Sequence, residues 1–260
     1  MMRSLWTAAT GMAAQQMNID VTSNNLANVS TDGFKKSRAQ FEDLMYQTLK
    51  VAGTENLTGD SIPTGLQVGM GVNPLSVHKI FTQGDFKSTN NTWDLAIEGE
   101  GFFRVMVNGE ERYTRNGAFH PNSDNEIVHV SGNPLDPSIQ EPPNTVTREI
   151  LPDGSITFYD ANHDVIGTDN IEIFHFQNPA GLKSMGSNMY TETDASGIAE
   201  QGIPDNGVFG SIGSSKLETS NVEIVDEMVN MIIGQRAYEI NSKAIQTSDQ
   251  MLQMANQMKR

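Results

Sequence analysis

Leu5, Met12, Ile19 and Leu26 recur at a strict seven-residue interval between Arg3 and Asn28, in a stretch without proline and with Gly11 as its one glycine. Ala8, Ala9 and Ala13 extend the same side, so the pattern predicts an amphipathic helix with a narrow apolar seam. Near the other end Ile233, Ala237, Ile240, Ala244, Thr247, Met251, Met254 and Met258 alternate at spacings of four and three. This is a heptad pattern, continued upstream in shifted phase by Val222, Val225, Val229 and Ile232, and it predicts a longer helix from Asn221 to Met258. Ser220 or Asn221 is the expected N-cap, with Glu223 placing a carboxylate in the first turn. The longer helix outruns the shorter, and each Leu, Ile or Met left wet forfeits about 1.5–3 kcal/mol. The seams are therefore expected to be used twice, first in pairing the terminal helices and then in association with neighbours. The competing reading makes both helices a lid on the rest of the chain. Small residues in both seams favour close helix approach, and the methionines from Met228 onward suit an adaptable interface.

The middle changes period. Phe103, Val105 and Val107 alternate with Arg104 and Met106 before Asn108-Gly109 and a second run, Glu110 to Thr114. Asn-Gly between such runs signals a hairpin, because a type I′ turn needs positive φ at both central residues. Asp153-Gly154 between Ile150 and Phe158 repeats the device, Ile171 to Phe176 predicts another strand, and Asp94 to Ile97 a short one. Many short strands broken by Gly, Pro, Asn and Asp point to a small antiparallel sandwich or barrel. Residues 51 to 73, rich in Gly and Thr, read as an extended connector. The expected fold is α+β, with discontinuous helical ends (1–45 and 216–260) forming a coiled-coil domain, a connector (46–72) and a β-rich domain (73–215).

Charge sharpens this division. The chain of 260 residues carries a formal charge of −15, yet residues 1–50 and 216–260 together are neutral, so the whole excess lies in the middle, as do all ten prolines. This balance argues against nucleic acid or anionic lipid as a partner. The absence of cysteine removes disulfides, thiolate metal sites and cysteine nucleophiles. No apolar run approaches the length of a membrane span, and the start of the chain lacks the pattern of a cleaved secretory signal.

A search for chemistry finds no constellation above background. His78, His120, His129, His163 and His175 are dispersed, without metal-ligand spacing. Asp160 to Asp164 imitates the start of a calcium loop, but Val165 and Ile171 occupy the positions that need Gly and Glu. Gly69-Met-Gly71 and Gly99-Glu-Gly101 do not complete a dinucleotide fingerprint. Glu98 with Glu100, or Glu110 with Glu111, would suit glycoside hydrolysis, but such pairs follow from abundance alone. Lys35, Lys36 and Arg38 read as a solvated basic turn. The expectation is a protein without catalytic residues, metal or cofactor. Its rival is a glycan-binding or glycan-cleaving β-domain oligomerised by its tails.

Asn24 to Lys35, reading Asn-Asn-Leu-Ala-Asn-Val-Ser-Thr-Asp-Gly-Phe-Lys, resembles the signature that follows the first helix in flagellar basal-body rod and hook proteins. Physically it is a helix stop: Asn28 is expected in αL geometry, Gly33 permits positive φ, and Phe34 re-enters a core. Thr219 to Val222 and Gln235 to Lys243 resemble that family's C-terminal signature. Asp94 to Val105 and Tyr113 to Phe119 resemble its β-domain. Within the family the opening residues and the segments Phe41 to Tyr46 and Pro63 to Val72 are similar to members of the distal rod, with proximal-rod members the nearest rival.

The resemblance implies a structural subunit exported through the flagellar type III apparatus without signal cleavage. It implies helical polymerisation with copies of itself into a hollow, torque-transmitting shaft in the basal body, between periplasm and outer membrane. Implied partners are other rod proteins, the hook protein and the bushing rings of the peptidoglycan and outer membrane. The residues expected to carry assembly are Leu5, Met12, Ile19, Leu26, Asn28, Gly33, Phe34, Val222, Val229, Ile233, Arg236, Ala237, Tyr238, Ile240, Asn241, Ala244, Met251, Met254 and Met258.

Overall fold

Helix α1 spans Met2–Ala27 and helix α2 spans Ile224–Gln257. The computed structural model describes residues 2–53 and 63–258, so the middle of the expected connector, 54–62, lies outside the described residues. Between the helices the chain is β-rich and its sheets are antiparallel wherever the register is defined. It divides into two compact units: Met1–Leu26, Ser37–His78 and Glu223–Arg260 form one, and Ala27–Lys36 with Lys79–Val222 the other.

The first unit contains both helices and two strand pairs. Ser37–Asp43 pairs with Val72–Lys79, and Tyr46–Lys50 pairs antiparallel with Leu66–Gly69. Two of the described segments of the expected connector 46–72 are therefore paired strands. α2 begins three residues later than expected. Glu223 occupies its N-cap without a side-chain cap bond, while Asp226 and Glu227 place negative charge in the first turn, where the helix dipole favours it.

The second unit is built on a five-stranded sheet in the order Leu135–Asp136, Phe103–Val107, Glu110–Thr114, Met189–Thr191, Lys183–Gly186. A three-stranded sheet, Thr147–Ile150, Ser155–Tyr159 and Val165–Asn170, and several strand pairs complete it. Alternation does the sorting: Phe103 and Val105 are buried while Arg104 and Met106 are partly exposed, as the two-residue period of a strand requires. The core joins Trp93, Leu95, Ile97, Phe103, Phe119, Ile156, Phe158 and Ile212. A second, aromatic cluster sets Tyr113 edge-on to Phe176 at 4.8 Å and Phe81 edge-on to Tyr190 at 5.3 Å.

Asn108 and Gly109 adopt φ of 53° and 83°, the paired positive values of the expected type I′ turn. The Asp153-Gly154 turn is built differently. The Gly154 amide donates to Leu151 O, and Gly154 alone takes positive φ, so Pro152-Asp153 form the turn and Gly154 the left-handed step after it. Asp160 to Asp164 is the turn joining Ser155–Tyr159 to Val165–Asn170, with the Asp160 amide donating to Asp164 O. Asn28 departs from its expected αL geometry. It keeps negative φ, and its backbone and side-chain oxygens accept bonds from Thr31 instead. The left-handed step falls at Gly33, with φ of 69°.

Candidate assembly interface

Within the first unit the two terminal helices touch along a stripe of small and polar residues. Ser4 Oγ lies 3.3 Å from Ser248 Oγ, and Asn25 Nδ2 donates to Glu227 Oε2 at 3.3 Å. Between them, a Cβ built on Gly11 would meet Asn241 Nδ2 at 2.9 Å, and one on Gly234 would meet Ile19 Cγ1 at 3.1 Å. Both glycines are therefore points of closest approach, where a side chain would have to push its neighbour away. The four contacts rise in number on α1 as they fall on α2, so the helices run antiparallel. Ala8, Ala14, Thr22, Asn25, Glu227, Gly234 and Ser248 are buried on these helices, whereas Ala9 and Ala13, expected on the seam, are exposed.

The heptad predicted on α2 lies beside this stripe rather than on it. Ile233 is 60% exposed, Ile240 66%, Met254 55% and Met258 83%, and Val229 and Met251 are also open to solvent. Ala244, Arg236 and Tyr238 are exposed, with Arg236 pairing to Glu239 at 3.0 Å, while Ala237 and Asn241 are half-buried. On α1 Leu5, Met12, Ile19 and Leu26 are half-buried. Val222 is buried but precedes α2, so it does not extend the helical seam. Asn25 also grips the start of the first strand: its Nδ2 donates to Ser37 O at 2.8 Å, and its Oδ1 accepts from the Ser37 amide at 2.9 Å.

In the second unit Lys35, read from sequence as part of a solvated turn, is completely buried. Its Nζ reaches Glu218 Oε1 at 2.5 Å and donates to Thr82 O at 2.8 Å, and Arg115 Nη1 stands 3.7 Å from the other Glu218 oxygen. Burial lowers the Lys35 and Arg115 pKa values, and the Glu218 carboxylate works against that shift. The Gly33 amide donates to Glu218 O, and Lys79 Nζ lies over the buried Phe34 ring at 4.6 Å. Asn221, an expected helix cap, instead accepts from the Lys36 amide and donates to Ile80 O and Thr82 O. The sequence signatures around residues 31–36 and 216–222 thus meet in one buried cluster.

The carboxylates considered for hydrolysis have basic partners: Glu98 with Lys216 at 2.8 Å and Glu100 with His175 at 3.0 Å. No three His, Asp or Glu side chains converge as a metal site among the described residues. Asn25, Glu227, Gly234, Ser248 and the Lys35–Glu218–Arg115 cluster were not anticipated from sequence. The helix contacts nevertheless had a signal, a second seven-residue repeat: Ser4, Gly11, Asn18 and Asn25 on α1, and Glu227, Gly234, Asn241 and Ser248 on α2.

Three family profiles match the chain in order: flagella basal body rod protein over residues 5–35, flagellar hook protein FlgE/F/G D1 domain over 96–158, and flagellar basal body rod FlgEFG protein C-terminal over 214–258. The chain is 48% identical over 264 residues to the flagellar basal-body rod protein FlgG of Borreliella burgdorferi, covering 100% of both chains. It is 46% identical over 260 residues to that of Buchnera aphidicola subsp. Schizaphis graminum, covering 99% of this chain and 100% of the relative. Against the Bacillus subtilis FlgG the identity is 36% over 265 residues, again covering 100% of both chains.

Proposed function

We infer from this chain's membership of the FlgG family of flagellar basal-body rod proteins, to which it belongs, that it is a structural subunit of the distal rod. It resides in the flagellar basal body and assembles there with other flagellar components. The finer reading is that α1 and α2 form a coiled-coil inner domain lining a hollow helical polymer, with the β-rich unit as a sandwich- or barrel-like outer domain. The partners proposed are copies of itself, other rod proteins, the hook protein and the bushing rings, after export through the flagellar type III apparatus without signal cleavage. The role proposed is mechanical, the transmission of torque, with no catalytic step and no nucleic acid partner.

The observation that carries the polymer reading is the exposed apolar face of α2. Ile233, Ile240, Met251, Met254 and Met258 lie open on a helix whose small and polar face is already engaged with α1. Solvent-exposed apolar side chains repeated over a helix of this length are expected to be covered by association. Electron microscopy of the full chain, concentrated at neutral pH, is expected to show straight tubes, and Ile240→Asp is expected to abolish them while the β-rich unit stays folded. Normal tubes from Ile240→Asp would sink the assignment of this face.

A further inference from the structure

We infer that Gly11, Asn25, Glu227, Gly234, Asn241 and Ser248 decide which face of each terminal helix is used inside the subunit, and thereby reserve the apolar faces for neighbouring copies. The inference rests on the polymer reading for the role of the reserved faces, and on contacts within the helix pair for the choice of face.

Each helix carries two seven-residue repeats, offset by one residue. On α1 the contact repeat Ser4, Gly11, Asn25 is followed, one position later, by the apolar repeat Leu5, Met12, Ile19, Leu26. On α2 the contact repeat Glu227, Gly234, Asn241, Ser248 is preceded, one position earlier, by Ile233, Ile240 and Thr247 of the apolar repeat. By hydrophobicity alone, the apolar repeats would pair with each other. The structure pairs the small and polar ones, with Ile19 of the apolar α1 repeat also reaching across to Gly234.

The glycines and the buried polar groups account for that choice. Gly11 and Gly234 admit Asn241 and Ile19 at a separation that larger residues would forbid. Turning the helices so that the apolar faces meet would also break the Asn25–Glu227 and Ser4–Ser248 contacts. Polar residues at helix contacts are known to trade stability for register in this way.

The geometry has a consequence for assembly. Both helices are right-handed, so one residue forward on α1 and one residue backward on antiparallel α2 turn by about 100° in the same sense. The facing residues point toward each other, so this common turn carries the two apolar stripes to opposite flanks of the pair. A second copy can then set its α1 flank against the α2 flank of the first. That contact is heterologous and leaves both outer flanks free, the arrangement that propagates a filament.

Because the chain has no cysteine, paired cysteines report the contact directly. In dilute full-length chain, Ser4→Cys with Ser248→Cys is expected to form an intramolecular disulfide, and Met12→Cys with Ile240→Cys is not. Adding Glu227→Leu and Asn241→Leu is expected to shift the yield from the first pair toward the second by roughly tenfold, the effect of removing one hydrogen bond across the helix contact. Polymer yield from the same two leucine substitutions in the cysteine-free chain should fall, while Glu227→Gln keeps both behaviours. Gly11→Val, which wedges the contact without changing its polarity, should lower the Ser4–Ser248 disulfide even where the leucine variant loses its helices.

Unchanged Ser4–Ser248 cross-linking in both the leucine and the valine variants would overturn the inference, as would its absence in the parent pair. A chain that cross-links as expected but never polymerises would instead overturn the polymer reading, leaving the choice of face established.

Discussion

The helix pair of the first unit and the β-rich core of the second distribute their residues in opposite ways. In the second unit Phe103, Phe119, Ile156 and Phe158 are fully buried, and the interior charge includes the mutually compensating Lys35–Glu218–Arg115 cluster. In the helix pair the interior is Gly, Ala, Ser, Thr, Asn and Glu, and most of the isoleucines and methionines of α2 stand in solvent. The β-rich unit has the organisation of a domain stable by itself. The helix pair leaves much of the apolar face of α2 uncovered within the chain. The difference teaches that burial within one chain and the location of its hydrophobic residues are separate quantities in a polymer subunit.

The severest test of the contrast is the buried charge. Glu218→Ala would leave Lys35 and Arg115 uncompensated and is expected to destabilise the second unit by about 3–5 kcal/mol in denaturant unfolding. Lys35→Met combined with Glu218→Leu should recover part of that loss, which a general packing defect would not.

His129 supplies a pH-dependent counterpart. It is buried, and burial together with the nearby His120 lowers its pKa from 6.5 to about 4. The folded unit therefore refuses a proton that the unfolded chain accepts, so stability is lost as pH falls through the window from about 6.5 to about 4. The full loss is about 3 kcal/mol. Thermal melts of the parent and His129→Gln should show the acid slope flattened in the variant, beyond the constant cost of the substitution.

Gly109→Ala probes a local requirement. With φ at 83°, a side chain there is expected to cost about 1 kcal/mol, read as a lowered unfolding midpoint of the β-rich unit. The smallest expected change in the isolated subunit comes from Ile240→Ala, within about 0.5 kcal/mol by the same measurement, because the side chain is already in water. Its effect should appear only in the critical concentration for polymerisation. A large loss of monomer stability from Ile240→Ala would break the comparison on which the reading of α2 rests.

Much of this arrangement could be read in the chain itself. The seven-residue spacing marked both helices to within a few residues, and Asn108-Gly109 marked a hairpin whose turn takes the required positive φ. The sequence pattern starts α2 three residues early because Asn221 is as good a cap as it is a backbone clamp. What selects between those uses is the presence of the Lys36 amide and the Ile80 carbonyl, far away in sequence. Lys35 departs from its expected solvated turn for a similar reason: a lysine in a basic run belongs in water unless a carboxylate is delivered to it, here one 183 residues away.

Periodicity thus determined that the two ends are helices and which side of each is apolar, since those properties depend on neighbours three to seven residues apart. Composition determined that the excess charge lies between them. Only the tertiary structure decided that the helices meet through their small and polar faces, and that the residues after α1 and before α2 join around a buried ion cluster. The physical reason is that a hydrophobic pattern records a demand for cover without naming what supplies it. Contacts between distant segments, set by steric fit at Gly11 and Gly234 and by compensation of buried charge at Glu218, supply that choice.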